Sequence, residues 1–152
     1  MYEQLKLEHQ LCFRLYSASR LLTQAYRPLL EPHGLTYPQY LVMMALWEQD
    51  HQTVSDLCRR LMLESNTLTP LLQRMEREGI VIRSKGISDG RQTLISLSPK
   101  GRRMQEQCKD VPSCVTKGWL GNGFSIENAI AMKDSLDELI AALKMNGTEK
   151  KN

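Results

Sequence analysis

The chain has 152 residues, of which 41% are hydrophobic and 24% are charged, and its formal net charge is +3. These values are typical of one globular domain, and no run reaches the roughly 18 apolar residues that a membrane span needs. They exclude a disordered chain and a membrane protein. Because the first residues also lack the pattern of a secretory signal, we expect a cytosolic protein.

The first part of the chain is predicted to be helical. Apolar residues at helical spacing predict one long helix from Leu5 to Leu30, and Gly34 follows it where a helix C-terminus uses glycine. Thr36 and Gln39 have the spacing of a capping box. They predict the start of a second helix, which runs to about Glu48.

Two shorter helices are predicted next. Residues 49–52 form a polar turn, after which Thr53 and Asp56 repeat the capping signature. Ser65 is predicted to cap a fourth helix, which ends before Gly79. Two helices joined by a short turn are a candidate helix-turn-helix.

The hydrophobic period then changes to that of strands. Residues 80–82 and 92–97 are strand-like, and the turn cluster 88–91 between them predicts a β-hairpin. A hairpin directly after a helix-turn-helix predicts a winged helix-turn-helix over 53–98. Between positions 83 and 103 there are six basic residues and one acidic residue, a local charge of +5 that exceeds the charge of the whole chain.

This charge and the polar start of the fourth helix indicate DNA binding. Small polar side chains contact base edges and phosphates in the major groove, while an arginine at a hairpin tip enters the minor groove. The same pattern also suits a solvated hairpin on a protein that binds something else. The candidate DNA-binding residues of the helix are Ser65, Asn66, Thr67, Thr69, Pro70 and Arg74.

The last third of the chain is also predicted to be helical. Ser98 opens a fifth helix, a glycine-rich loop lies between positions 118 and 123, and Ser125 caps a last helix that ends in a frayed tail at 146–152. The apolar faces of the first and last helices suit either a dimer interface or a monomer core.

The four cysteines lie at positions 12, 58, 108 and 114, and none forms a C-x-x-C pair. With only three scattered histidines, the chain shows no metal-ligand spacing, so we expect no metal site and no other cofactor. Cys58 and the Met43-Met44 pair are predicted to serve packing.

Five segments resemble the MarR family of dimeric bacterial transcription regulators, and most closely its organic hydroperoxide sensors, known as OhrR. They are Gln10–Phe13, Leu15–Tyr16, Tyr26–Leu30, Leu35–Met43 and Thr67–Leu72. The resemblance implies a single domain over 1–152, mainly α with a small β-hairpin. It also implies a dimerisation region formed by helices at about 4–31 and 99–145.

The resemblance further implies a redox switch. In this branch an N-terminal cysteine senses peroxide, tyrosines hydrogen-bond to it, and oxidation releases the repressor from DNA. These roles correspond here to Cys12 and to Tyr16, Tyr26 and Tyr37, with Asp89 and Arg91 as the D-x-R pattern of the wing.

Two-cysteine members of the branch place a resolving thiol near the end of the fifth helix, where this chain has Cys108 and Cys114. Cys114 is the better candidate because it lies closer to the glycine-rich loop. A one-cysteine mechanism that uses a low-molecular-weight thiol stays open.

The spacing limits how the switch is built. Cys12 and Tyr16 are four residues apart and therefore neighbours on one helix face. Tyr26 lies about 21 Å along the axis from Cys12, since each residue adds about 1.5 Å. The two residues meet only if the helix bends or if a partner chain supplies one of them.

We therefore predict a homodimeric repressor, not an enzyme, that binds a pseudo-palindromic double-stranded DNA operator. Oxidation of Cys12 by an organic hydroperoxide would release that operator. Two alternatives remain: a MarR-type regulator that responds to a small phenolic or anionic ligand, with Cys12 not the sensor, and a thiol peroxidase.

Overall fold

The protein is described by a computed structural model that covers residues 2–148 and is mainly helical, with one small antiparallel sheet. This arrangement confirms the predicted fold class. The elements are α1 (Leu11–Leu30), α2 (Tyr37–Glu48), β1 (Gln52–Thr53), α3 (Val54–Leu61), α4 (Ser65–Arg77), β2 (Val81–Lys85), β3 (Thr93–Leu97), α5 (Pro99–Cys108), α6 (Val111–Gly121) and α7 (Ile126–Thr148).

The chain divides into two compact units, one ending at Val111 and the other beginning at Pro112. The first unit holds the sheet, whose strand order is β1-β3-β2. In the second, Trp119 and Phe124 pack edge to face, with ring centroids 5.6 Å apart. No helix within residues 2–148 is long and apolar enough to cross a membrane.

The core of the first unit is built around α2. Its buried side chains include Tyr40, Val42, Met43 and Leu46, and the half-buried Cys58 of α3 packs against the same cluster. The predicted packing roles of Met43 and Cys58 are therefore confirmed. The other buried apolar side chains of this cluster include Leu57 on α3, Leu68, Leu72 and Met75 on α4, and Ile95 on β3.

Four of the five predicted helix caps are present, and each of them joins residues close in sequence. Thr36 accepts a hydrogen bond from the backbone of Gln39, which accepts one from Thr36 in return, and Gly34 takes the left-handed conformation, with φ +68°. The other three cap hydrogen bonds run from Asp56 N to Thr53 (3.1 Å), from Gly101 N to Ser98 (3.0 Å) and from Asn128 N to Ser125 (3.1 Å).

The prediction of one helix from Leu5 to Leu30 is wrong at its start, because α1 begins at Leu11. Two short 3-10 turns precede it, and Gln10 is extended. The side chain of Gln10 donates to the carbonyl of Gln4 at 2.6 Å, and the imidazole of His9 lies 2.9 Å from the carbonyl of Glu3. These side-chain bonds to the backbone compete with a regular helix.

The prediction that residues 49–52 form only a turn is wrong at Gln52, which begins β1 and pairs with Ile95. The predicted cap at Ser65 is also wrong: Glu64 is the N-cap residue of α4, and Ser65 is its first helical residue. A two-residue strand depends on a partner far along the chain, which local patterns do not reveal.

The C-terminal third differs from the prediction in its breaks. Helix α5 ends at Cys108 rather than at the predicted glycine-rich loop. Gly118 and Gly121 of that predicted loop lie inside α6. Residues 146–148, predicted to be frayed, belong to α7, whereas residues 149–152 lie outside the described residues. An interior glycine costs a helix only about 1 kcal/mol relative to alanine, so it does not by itself end one.

Candidate functional site

Helix α4 presents a polar face away from the core. Its buried residues Leu68, Leu72 and Met75 recur at helical spacing and fix which face points inward. The predicted contact residues accordingly lie on the other side. Ser65, Asn66, Thr67, Pro70 and Arg74 are exposed, and Thr69 is half-buried.

The hairpin is tied closely to the end of α4. Gly79, with φ +72°, directly follows Glu78, the C-cap residue of α4, and the carbonyl of Gly79 accepts a hydrogen bond of 2.7 Å from the hydroxyl of Ser98. The backbone N–H of Ser98 donates to the carbonyl of Ile80 at 3.1 Å. These bonds place the wing, defined as residues 81–97, directly beside α4.

The tip of the wing is held by its own hydrogen bonds. Gly86 N–H donates to the carbonyl of Gln92 at 2.8 Å, and a Cβ atom on Gly86 would lie only 2.5 Å from the carbonyl of Asp89. Arg91 donates to Asp89 from its backbone (3.0 Å) and from Nε (3.2 Å). These hydrogen bonds lower the pKa of Asp89, so this carboxylate is charged at neutral pH.

The basic segment 83–103 is partly neutralised by acidic residues outside it. Arg83 pairs with Glu76 at 3.4 Å, and Arg102 pairs with Asp50 at 2.8 Å. Arg91, although bonded to Asp89, keeps its side chain 92% exposed. The count of +5 therefore overstates the positive charge that is available to a partner. At the wing tip, the exposed positive charges are those of Arg91 and Lys85.

The N-terminal cysteine lies at the start of α1. Cys12 is exposed, as is Tyr16 one turn later, and the Arg20 guanidinium lies 5.4 Å from the centre of the Tyr16 ring. Because α1 is continuous from Leu11 to Leu30, it places Tyr26 about 21 Å along its axis from Cys12. The structure therefore does not bring Cys12 and Tyr26 together within one chain.

The other two predicted tyrosines do meet. The ring centres of Tyr26 and Tyr37 are 4.9 Å apart, and the buried Tyr40 lies 5.9 Å from Tyr26. Burial raises the pKa of Tyr26 and Tyr37, and that of Tyr40 to about 12. All three hydroxyls consequently stay protonated at neutral pH and can act as hydrogen-bond donors.

Tyr40 was not among the sequence candidates. The available signal was its spacing, since a residue three positions after Tyr37 on a helix lies on nearly the same face. A cavity of about 390 Å³ lies beside Tyr37, between the end of α1 and the start of α2. Its lining residues are Thr23, Gln24, Arg27, Glu31, Leu35, Thr36, Tyr37 and Pro38.

The two candidate resolving cysteines have opposite environments. Cys108 is 1% exposed within the core, and burial raises the pKa of its thiol. Cys114 is exposed on α6. A raised pKa and burial both disfavour the reactive thiolate, so access favours Cys114.

Comparison with known proteins gives consistent matches. The family model of the SarA/Rot transcriptional regulators matches residues 24–108. The chain is 44% identical to the organic hydroperoxide resistance transcriptional regulator of Bacillus subtilis strain 168 over 114 residues, which cover 75% of this chain and 78% of that protein.

Solved structures of AbfR from Staphylococcus epidermidis are also similar. Reduced AbfR bound to DNA is 39% identical with a TM-score of 0.75, covering 94% of this chain and 96% of that one. Disulfide-formed AbfR is 40% identical with a TM-score of 0.63, covering 91% of this chain and 95% of that one.

Proposed function

The chain belongs to the MarR family of winged helix-turn-helix transcriptional regulators, and from this premise we propose that it is a homodimeric repressor that releases its operator when an organic hydroperoxide oxidises Cys12. The observation that carries the proposal is the geometry of α1. Exposed Cys12 lies at the start of this continuous helix, and Tyr26, which contacts Tyr37 and Tyr40 of α2, lies toward its other end. Two antiparallel copies of α1 would bring the thiol of each chain to the tyrosines of the other.

Such a site has the chemistry that peroxide sensing requires. Protonated tyrosine hydroxyls donate hydrogen bonds that favour the thiolate, which is the nucleophile. The Cys12 sulfur attacks the terminal oxygen of the hydroperoxide, which carries the hydrogen, and the O–O bond breaks. The alkoxide leaves and takes up a proton to become an alcohol. Sulfur is thereby oxidised to a sulfenic acid while the peroxide is reduced.

The sulfenic acid is then captured by a second thiol. We assign this role to Cys114 rather than to Cys108, because Cys114 is exposed and Cys108 is buried with a raised pKa. Attack by the Cys114 thiolate on the sulfenic sulfur forms a disulfide and breaks the S–O bond, and the departing hydroxide takes up a proton to become water. The existence of reduced and disulfide-formed structures of AbfR supports this step, and a low-molecular-weight thiol is the alternative resolving agent.

DNA binding is assigned to the polar face of α4 and to the wing. In a two-fold dimer the two α4 helices enter successive major grooves about one helical turn apart, which suits a pseudo-palindromic operator. Residues Ser65, Asn66, Thr67, Thr69, Pro70 and Arg74 face the major groove, and Asp89 holds Arg91 for the minor groove. A disulfide that changes the distance between the α4 helices of the two subunits weakens DNA binding. The affinity falls about tenfold for each 1.4 kcal/mol of strain.

A gel shift on the DNA upstream of the protein's own reading frame tests this function. The reduced protein should retard the fragment, and stoichiometric cumene hydroperoxide should release it. Cys12→Ser should bind the fragment equally well and stay bound after peroxide, and Cys58→Ser is the matched control that should still respond. Peroxide release of the Cys12→Ser variant would contradict the sensor assignment.

A small anionic or phenolic ligand is the second candidate effector. It is favoured by the cavity beside Tyr37, whose lining includes one basic residue, Arg27, and one acidic residue, Glu31, among hydroxyl, amide and apolar residues. Release of the fragment by salicylate in both wild type and Cys12→Ser, combined with no response to peroxide, would favour this function over thiol oxidation.

A further inference from the structure

The most exposed large apolar side chain of the described residues lies at the wing tip. Ile87 is 99% exposed, more than any other large hydrophobic residue between positions 2 and 148. Nearly all of its surface is therefore in water. An apolar side chain held in water gains free energy when a partner covers it.

The tip that carries Ile87 is already ordered. It lies between Gly86, whose N–H is bonded to Gln92, and the hydrogen-bonded pair of Asp89 and Arg91. The close approach of Gly86 to the carbonyl of Asp89 excludes a side chain at position 86. Ile87 is thus presented on a tight turn, which lowers the entropy cost of binding.

The charges around Ile87 indicate which partner covers it. Lys85 is exposed two residues before it, and Arg91, whose side chain is largely exposed although it is paired with Asp89, follows on the same tip. An apolar side chain between two cations fits a polyanion with a narrow apolar-walled groove. The minor groove of DNA has these properties, with phosphates along its edges and sugar carbons along its walls, and apolar side chains enter it in several DNA-binding proteins.

We propose that Ile87 is a minor-groove contact of the wing that makes binding depend on the base pairs beneath it. The inference rests on the proposed DNA binding. A·T pairs show only acceptors on the floor of the minor groove, whereas G·C pairs add the guanine N2 amino donor. Ile87 has no acceptor for the guanine amino group. When Ile87 covers a G·C pair, that amino group is therefore buried without a hydrogen-bond partner. The wing should therefore favour A·T pairs at its contact point.

The test uses duplexes that the wild-type protein selects from a pool of random DNA. Dissociation constants are measured by fluorescence anisotropy over a series of salt concentrations, for the selected duplex and for one with G·C pairs at the wing contact. The proteins compared are wild type, Ile87→Ser, Ile87→Val and, as the electrostatic control, Arg91→Ala.

Ile87→Ser should bind the selected duplex about tenfold more weakly, equivalent to about 1.4 kcal/mol. Its dependence on salt should match that of wild type, because no charge has been removed, and its preference for A·T over G·C should disappear. Ile87→Val should keep most of the affinity for the selected duplex and most of the preference for A·T pairs. Arg91→Ala should instead lower the slope of log affinity against log salt by about one.

Equal affinity and equal A·T preference in wild type and Ile87→Ser would overturn the inference while leaving the proposed function intact. A change in self-association on sedimentation without a change in DNA affinity would also overturn it, since the partner would then be protein. If the wild-type protein selects no duplex from the pool, the proposed function itself fails.

Discussion

The helix-turn-helix region and the terminal helices differ in how far their apolar residues are buried. Helix α2 buries half of its twelve residues, whereas only Leu30 is buried among the twenty residues of α1. On α1 and α7, side chains such as Leu21 and Ile130 are 61% and 57% exposed. The first region completes its core within one chain, and the second presents apolar surface that the proposed dimer would cover.

This contrast separates two sources of stability. Burial of a large apolar side chain stabilises by about 1.5–3 kcal/mol, and the residues around α2 obtain this stabilisation at any protein concentration. For α1 and α7 the same stabilisation would depend on association, so it should follow concentration by mass action. Substitutions in the two regions should therefore differ in kind as well as in size.

The largest effect is expected from Ile130→Glu. A carboxylate placed on the apolar face of α7 must be desolvated in the proposed interface, so it should weaken dimerisation about a thousandfold, or about 4 kcal/mol. Operator affinity should fall with it. Sedimentation velocity over a range of concentrations measures the dimer.

The matched control is Ser135→Glu, which adds the same charge at an exposed polar position of the same helix. It should leave the sedimentation profile unchanged. If Ile130→Glu also sediments as wild type does, the apolar face of α7 is not part of an interface, and the contrast between the two regions has another cause.

A second substitution tests the self-contained region. Leu72 of α4 is 1% exposed, and Leu72→Ala should lower the free energy of unfolding by about 3 kcal/mol through lost burial and a cavity. The loss should be the same at every protein concentration. Urea unfolding followed by circular dichroism measures it.

Leu22→Ala on α1 provides the comparison, because Leu22 is 47% exposed. Its effect should be small at low concentration and should appear only where the dimer forms. Equal losses for the two variants at all concentrations would show that α1 is stabilised within its own chain.

The same division explains how much could be predicted from the sequence. The caps at Thr36, Thr53, Ser98 and Ser125 depend on neighbours within three residues, and all four were predicted. The β1 strand depends on the distant Ile95 and was missed. Local signals predicted these four caps, although they misplaced the cap of α4 and the start of α1, and a tertiary pairing such as that of β1 is beyond their reach.

In the candidate site, too, contacts between residues far apart in sequence could not be predicted. The candidate DNA-binding residues of α4 were chosen from local sequence, and five of the six are exposed, but the meeting of Tyr26 with Tyr37 and Tyr40 joins two helices. The charge count of the wing could not show that Arg83 and Arg102 are paired with Glu76 and Asp50. Cys12 was singled out only by the family resemblance, because an exposed cysteine has no distinguishing spacing.

A smaller effect is expected at the cap that begins α2. Thr36→Ala removes the hydroxyl that accepts from Gln39 N–H and should lower the free energy of unfolding by about 1 kcal/mol. Thr36→Ser retains the hydroxyl and should lose only a small part of this. Thermal melting of the three proteins at one concentration measures it, and equal losses for the alanine and serine variants would mean that the cap bond does not contribute.

The smallest effect is a pH dependence at Asp56. Hydrogen bonds from the Thr53 side chain and backbone, and then Arg59, hold the pKa of Asp56 below its usual value. A carboxylate with a depressed folded-state pKa stabilises fully above its unfolded pKa of about 4, and this contribution disappears as the pH falls through the folded value. The stability difference between wild type and Asp56→Asn should therefore shrink from about pH 6 to about pH 3. In a Thr53→Ala background the shrinkage should be smaller, because the first cause of the shift is gone, and a difference that stays constant with pH in both backgrounds would contradict the assigned role of the Thr53 hydrogen bonds.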